Sequence, residues 1–441
     1  MTTVPARSVN RQILALALPA LGALIAEPLF LLADSAIVGH LGVAPLAGLA
    51  LAATVLTTAV GLSVFLAYGA TAAVARRVGA GDLRGALQHG VDGMWLALCI
   101  GAVLLALTAP TAGGLVALLG GSGEVADQGA TYLYWSAFGL PPMLLVLACT
   151  GVLRGLQRTV PPLVVAAVGA ALNVGLNLLL VHGLDLGIAG SAIGTVIVQY
   201  LMAVALTVAV FRAAGPGGVP VRPSVRRVSH AGRAGVPVFL RTLTLRIAVL
   251  LTVVVGATKG EVVLAGLQVT FNVWNLLALA LDAIAIAAQA LTGHALGAGD
   301  AGAARALTRR MLHWACWAGV VLGAILAAAA PFVGRLFSPD PAVIAAVTAA
   351  CLVLAAGQLL SGWVFVLDGV LLGAGDGRYL AVAGVVNLIV YLPALVLVGR
   401  AAPDGTAGLV WLWAVYAGVY MTARAVTLGL RYRGTGWVVV G

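Results

Sequence analysis

Charge is scarce in this sequence. Of its 441 residues 9% are charged and 62% hydrophobic, with a mean hydropathy of +1.10. A soluble domain carries about a quarter charged residues, so a water-facing shell around a core of this size is excluded and the chain reads as an integral membrane protein. Cysteine is scarce too: Cys99, Cys149, Cys316 and Cys351 lie singly in apolar stretches, with no C-x-x-C spacing, which leaves neither a disulfide framework nor a metal site to expect. No histidine makes a metal spacing with another, and no G-x-x-x-x-G-K-[ST] loop or long soluble stretch is present, so direct drive by ATP is excluded. Lysine is almost absent, Lys259 being the single one.

What is there is a succession of long apolar runs, at about 13–38, 46–75, 90–118, 131–153, 160–181, 187–212, 236–256, 262–292, 308–332, 342–372, 379–399 and 407–430. Each can cross a core of ~30 Å as a helix, giving twelve spans. The first run is too long for a signal peptide and carries Pro19, Glu27 and Asp34, so it is expected to remain in the mature protein. The formal charge of +10 sits in short arginine clusters between runs, the pattern of cytoplasmic loops and not of a nucleic-acid surface.

Counted by alternate loops, one side holds Arg7, Arg11, Arg76, Arg77, Arg84, Arg154, Arg158, Arg212, Arg222, Arg226, Arg227, Arg233, Arg305, Arg309, Arg310, Arg378, Arg424, Arg431 and Arg433; the other holds Lys259, Arg335 and Arg400. The bias places both termini in the cytoplasm of a cell-membrane protein.

The sequence repeats on itself at one gapless offset of 218 residues, the separation of Pro19 and Pro237. In that register Leu46-Ala47-Gly48-Leu49 meets Leu264-Ala265-Gly266-Leu267, Gly79-Ala80-Gly81-Asp82 meets Gly297-Ala298-Gly299-Asp300, and Gly151-Val152-Leu153 with Gly155 meets Gly369-Val370-Leu371 with Gly373. One register serving four places marks a duplication. The expected architecture is all-α: a six-helix half over 1–212, a cytoplasmic linker over 213–235 rich in Gly, Pro and Arg, and a second six-helix half over 236–441. Halves of even span number share one topology and are related by an axis along the membrane normal, with the substrate site between them.

An ionisable side chain at the bilayer centre costs at least ~2.5 kcal/mol, so those inside spans are the informative ones. Glu27 and Asp34 are seven apart, within ~20° on a helix of 100° per residue, and so face one cavity, with Pro28 between them as a candidate hinge. Protonation decides whether a carboxyl accepts or donates hydrogen bonds, and can bias a helix between two shapes. Asn173 and Asn177 in the fifth span, and Thr195 and Gln199 in the sixth, lie at i, i+4 and form short stripes that can line one chamber with Asp34. Such groups suit a proton relay, a small hard cation, or plain interhelical hydrogen bonding.

The eighth span carries Gln268, Asn275, Asp282 and Gln289 at steps of seven, with Asn272 beside them, a polar seam that faces water or protein; Thr54 and Thr57 stand at the offset positions of Asn272 and Asn275. Asp34 aligns with Thr252, so the first carboxylate has no twin. In the seventh span Arg241 is within snorkelling reach of the cytoplasmic interface. Arg246 is deeper and is expected to pair with a carboxylate, Asp368 or Asp282.

The run Ala26-Glu27-Pro28-Leu29 followed by Ala33-Asp34-Ser35-Ala36-Ile37-Val38-Gly39-His40-Leu41-Gly42, the repeated Gly-Ala-Gly-Asp, and Asp368-Gly369 with Gly373-Ala374-Gly375-Asp376 resemble the multidrug and toxic compound extrusion (MATE) transporters, particularly their DinF-like branch, over essentially the whole chain. The resemblance implies secondary antiport, in which a cation enters down its gradient while an amphiphilic, often cationic, compound leaves by alternating access. Asp34 matches the essential carboxylate of that family; Asn173 and Thr195 match its polar chamber. Asn177 departs from it, since the family pattern usually has Asp there. Losing a carboxylate removes a ligand that sodium would want, so the expected coupling ion is H+ over Na+.

With no cofactor, no enzymatic site and no nucleic-acid partner expected, the energy source is a gradient: one charge across 100 mV gives ~2.3 kcal/mol, and each pH unit ~1.36 kcal/mol. The expected partners are the bilayer and a small amphiphile, handled by a monomer, with Glu27, Gln199, Gln268, Asn272, Asn275, Asp282, Asp368 and Arg246 as cavity candidates. A major-facilitator transporter would carry a basic loop motif that Arg76 to Arg84 do not match. A flippase of lipid-linked or anionic lipid would want several cavity arginines. A membrane-embedded enzyme would want clustered acids in external loops, which offer little beyond Glu124, Asp127, Asp185 and Asp404.

Overall fold

In a computed structural model of the chain, residues 6–214 and 221–440 are described, without the side chains of 6–8, 27 and 214. Among the described residues the fold is helical, with no strand. In order, the helices are α1 Ala6–Gly39, α2 Val43–Ser63, α3 Phe65–Gly79, α4 Leu83–Leu118, α5 Gly123–Ala137, α6 Leu140–Gly155, α7 Val160–Leu178 and α8 Gly187–Ala214. They continue as α9 Val225–Ala257, α10 Glu261–Gly297, α11 Ala301–Phe337, α12 Pro341–Gly373, α13 Gly377–Ala401, α14 Thr406–Trp413 and α15 Met421–Arg433. Two π-helical segments intervene, Leu179–Gly183 after α7 and Ala414–Tyr420 between α14 and α15. Among the described residues eleven helices, broken or whole, are long and apolar enough to cross a membrane, and α5 with α6, bent by 51° where they meet, passes the same test as a pair, which brings the total to twelve if that pair is one span.

The bend has a local cause. Leu140 opens α6 and is followed by Pro141 and Pro142, which lack the N–H that would continue the α5 ladder. At the offset positions Leu359 and Leu360 allow α12 to run unbroken through the corresponding span.

The chain divides into two compact units, Leu18–Val236, and Pro237–Gly441 with Met1–Ala17. The duplication is visible inside each. After α3 and after α10 the chain turns at Gly81 (φ 78°) and Gly299 (φ 77°), in the left-handed region that glycine enters without penalty. The aspartate that follows then caps the next helix: Asp82 accepts from the Gly85 N–H and Asp300 from the Ala303 N–H, both at 2.8 Å.

Packing repeats as well. A Cβ on Gly151 would collide with the Ala67 carbonyl oxygen, and one on Gly369 with that of Ala285, the same two places at the 218 offset. Between apolar spans no hydrophobic drive selects a partner, so close backbone approach at small residues does; this is what the Gly151 and Gly369 motifs supply. Around Gly151 the first unit buries Val74, Leu87, Leu144, Ala148, Val152, Leu153 and Leu206 in one cluster.

Candidate functional site

In the first unit, α1, α5, α7 and α8 bring their polar side chains to one buried point. Asp34, 2% exposed, accepts from the Tyr132 hydroxyl at 2.6 Å on Oδ2 and from Asn177 Nδ2 at 2.7 Å on Oδ1, where Ser191 Oγ also donates. Behind them Asn173 Nδ2 donates to Thr195 Oγ1 at 2.9 Å, and Asn177 Nδ2 reaches Asn173 Oδ1 at 3.4 Å. The i, i+4 spacing in α7 stacks Asn173 on Asn177, and in α8 stacks Ser191 on Thr195. Gly194 leaves room for the Asn177 amide, since a Cβ there would stand 2.5 Å from its Oδ1. The π-helical segment Leu179–Gly183 begins two residues after Asn177, an irregularity that often marks functional positions.

Three donor groups thus surround one carboxylate. Asp34 has no ion-pair partner among the described residues; its charge is met by three neutral donors, and such hydrogen bonds to an ionised acceptor are stronger than neutral ones. Asn177 Oδ1 is buried without a partner among the described residues.

Asp34, Asn173, Asn177 and Thr195 therefore meet. Gln199 stands one turn further along α8, its Nε2 3.5 Å from Met143 Sδ and its Oε1 buried at the α5–α6 bend beside Gly139. The Glu27 side chain lies outside the described residues. Tyr132 and Ser191 are new. Ser191 was legible as the residue four before Thr195; Tyr132, in the run Tyr132-Leu133-Tyr134-Trp135, carries no mark that separates it from its aromatic neighbours.

Among its described residues the second unit holds no copy of this chamber. At the offset positions of Asp34 and Asn173 stand Thr252 and Tyr391, whose hydroxyls meet at 2.6 Å. Tyr132, Asn177, Ser191 and Thr195 are replaced by Ala350, Leu395, Leu409 and Trp413, all buried. The Trp413 and Phe271 rings lie 4.8 Å apart, tilted by 54°, and Trp274 meets Tyr416 edge-on at 5.7 Å. The π-helical segment Ala414–Tyr420 delivers Tyr416 and Tyr420 to this aromatic box.

Two readings of the arginines are corrected. Arg241 does not snorkel: its guanidinium is ion-paired with Asp368, and Arg424 reaches the same carboxylate oxygen at 3.3 Å. Arg424, counted above with the loop charges, is buried. Arg246 makes no ion pair among the described residues and is exposed. Residues five apart on a helix diverge by ~140°, so α9 can turn only one of Arg241 and Arg246 toward Asp368. On α10, Gln268, Asn272 and Asn275 are exposed, Asp282 is half-buried and Gln289 is buried. The seam thus runs from surface to core along the helix.

The MatE family model matches this chain twice, over residues 19–179 and 237–397, in the same 218-residue register as the internal repeat. Protein DETOXIFICATION 44, chloroplastic, of Arabidopsis thaliana is 28% identical over 438 residues, covering 96% of this chain and 83% of that protein. DNA damage-inducible protein F of Escherichia coli K12 is 31% identical over 294 residues, 65% of this chain and 63% of that protein. The crystal structure of a mutant of the Vibrio cholerae MATE transporter VcmN superposes with a TM-score of 0.87 at 20% identity, over 98% of this chain and 99% of that one, a likeness of fold.

Proposed function

Because this chain belongs to the MatE family of membrane transporters and is no enzyme, we propose that it is a proton-coupled antiporter that exports amphiphilic, cationic compounds by alternating access, with Asp34 as the proton carrier. The observation that carries the reading is the Asp34 chamber: a buried carboxylate held by Tyr132, Asn177 and Ser191, with no cation paired to it among the described residues.

Protonation of Asp34 turns one of its acceptor oxygens into a donor. Asn177 can answer, because rotating its amide by half a turn replaces the donating Nδ2 at Asp34 with Oδ1, the acceptor that is otherwise buried unused. A one-proton change at Asp34 then reorders Asn177, Asn173 and Thr195 in sequence along α7 and α8, and alters how α1 is held. Thr252 and Tyr391 offer no ionisable carboxyl at the equivalent place, so the second unit has no matching carrier. Orientation with both termini in the cytoplasm of the cell membrane, and a monomeric working unit, belong to the same proposal; the arginine bias supports the first.

The test is efflux of a fluorescent cation from proteoliposomes with imposed gradients. A pH jump should drive efflux in the wild type and fail to do so in Asp34→Asn, which keeps the size and one acceptor. Efflux unaltered in Asp34→Asn, or driven by a sodium jump at constant pH, would reject the assignment.

A further inference from the structure

We propose that the second unit carries a groove for one anionic glycerophospholipid, with an acyl chain lying along α12 and α15 and the phosphate on Arg433. The groove has a volume of about 630 Å³ and is walled by Ala356, Leu359 and Trp363 of α12 and by Val426 and Leu430 of α15, with Arg433 as the charged side chain of its wall. That volume lies within the ~300–1,000 Å³ of sites that bury small ligands. Leu359, Val426 and Leu430 are 49%, 53% and 63% exposed on helices that span the membrane, so acyl chains are the surroundings these side chains meet. The Trp363 indole rests against the α15 backbone at Gly429, where a Cβ would come within 2.7 Å of the ring, and this contact forms the floor of the groove.

Length and charge select the occupant. From Ala425 to Arg433 the groove follows α15 for eight residues, ~12 Å at 1.5 Å per residue, most of one leaflet of a ~30 Å core. The basic neighbours of Arg433 are already engaged: Arg424 with Asp368 at 3.3 Å, and Arg431 with Asp376 at 2.6 Å. Arg433 is exposed at the last residue of α15 and makes no ion pair among the described residues. A guanidinium fork left open at the polar end of an apolar trough matches a phosphodiester above an acyl chain.

The experiment uses the full-length protein in detergent, titrated with dioleoylphosphatidylglycerol or dioleoylphosphatidylcholine, with bound lipid counted by native mass spectrometry. The wild type should retain the glycerol lipid about five-fold better, the ratio that about 1 kcal/mol per arginine near the surface gives. Arg433→Gln should erase that preference, Ala356→Trp should lower retention of both lipids, and Arg212→Gln, an exposed arginine at the end of α8, should leave it intact. A wild type without preference, Arg433→Gln keeping it, or Arg212→Gln losing it equally would overturn the proposal. If Ala356→Trp fails to fold by circular dichroism, the two arginine variants decide alone.

Discussion

Asp92 and Arg310 stand at equivalent places in the two repeats, 218 residues apart, and each holds the opening turns of a first helix from the other repeat. Asp92 on α4 takes Arg227 of α9 at 3.1 Å, while Arg310 on α11 donates to Asn10 of α1 at 2.8 Å. Trp95 and Trp314 add to the two contacts, through the Val221 carbonyl at 2.8 Å and Asn10 at 3.1 Å. Each first helix therefore begins in one compact unit and finishes in the other, with the change falling at Ala17 in α1 and Val236 in α9.

These straps should be measurable. Arg227 is 42% exposed and Asp92 only 6%, so the pair is partly screened and its loss should cost about 1 kcal/mol, above the surface median and below a fully buried pair. Asp92→Ala should lower the thermal midpoint in detergent by a few degrees, and Asp92→Ala with Arg227→Ala should lower it little further. Additive losses in that double-mutant cycle would mean the two side chains do not act together.

The close helix crossings predict matched costs in the two repeats. Gly151→Ala and Gly369→Ala each push a methyl group into a carbonyl, of Ala67 and Ala285, and overpacking of this kind costs about 1–3 kcal/mol. Gly93, inside α4 with nothing within 4 Å of its Cβ position, should gain up to about 1 kcal/mol as Ala from helix propensity. Chemical or thermal unfolding of the three variants checks both signs at once.

The buried Arg241–Asp368–Arg424 cluster makes a third. Asp368→Asn leaves two guanidiniums facing each other without a carboxylate, a change that typically destabilises by about 3–5 kcal/mol. It should therefore reduce the folded yield before it affects transport. Replacing all three with Met, Leu and Met should recover stability, because apolar side chains of similar volume are often neutral or better at such sites. A well-folded Asp368→Asn with altered ion dependence would instead make Asp368 a coupling group.

What could be read from the sequence followed from periodicity. The spans and the repeat were legible because apolar runs and a fixed register need no tertiary knowledge, and Asn173, Asn177 and Thr195 because i, i+4 fixes a face. The choice between Arg241 and Arg246 was not legible: it depends on which way α9 is turned against α12, and hydropathy leaves that phase open in a helix with polar groups on two sides. Tyr132 was hidden for a similar reason, since a phenol that reaches Asp34 across 98 residues looks like any aromatic in a span. The π-helical segments after Asn177 and Trp413 have no signature in composition either, yet the second carries Tyr416 and Tyr420 of the aromatic box.

The departure at Asn177 can be turned into a gain of function. Its Nδ2 lies 2.7 Å from Asp34, so Asn177→Asp puts a second carboxylate in contact with the first, and Asn173, Ser191 and Thr195 add amide and hydroxyl oxygens within the same cluster. Two carboxylates that close do not both stay ionised without a cation, and a hard monovalent cation is suited by several oxygens of mixed charge. Asn177→Asp proteoliposomes should therefore respond to a sodium jump at constant pH where the wild type does not, and sodium should raise the thermal midpoint of the variant alone. If the variant stays indifferent to sodium while still folding and still answering a pH jump, then residue 177 does not select the ion, and the choice of protons must rest on the Tyr132 and Ser191 side of the carboxylate.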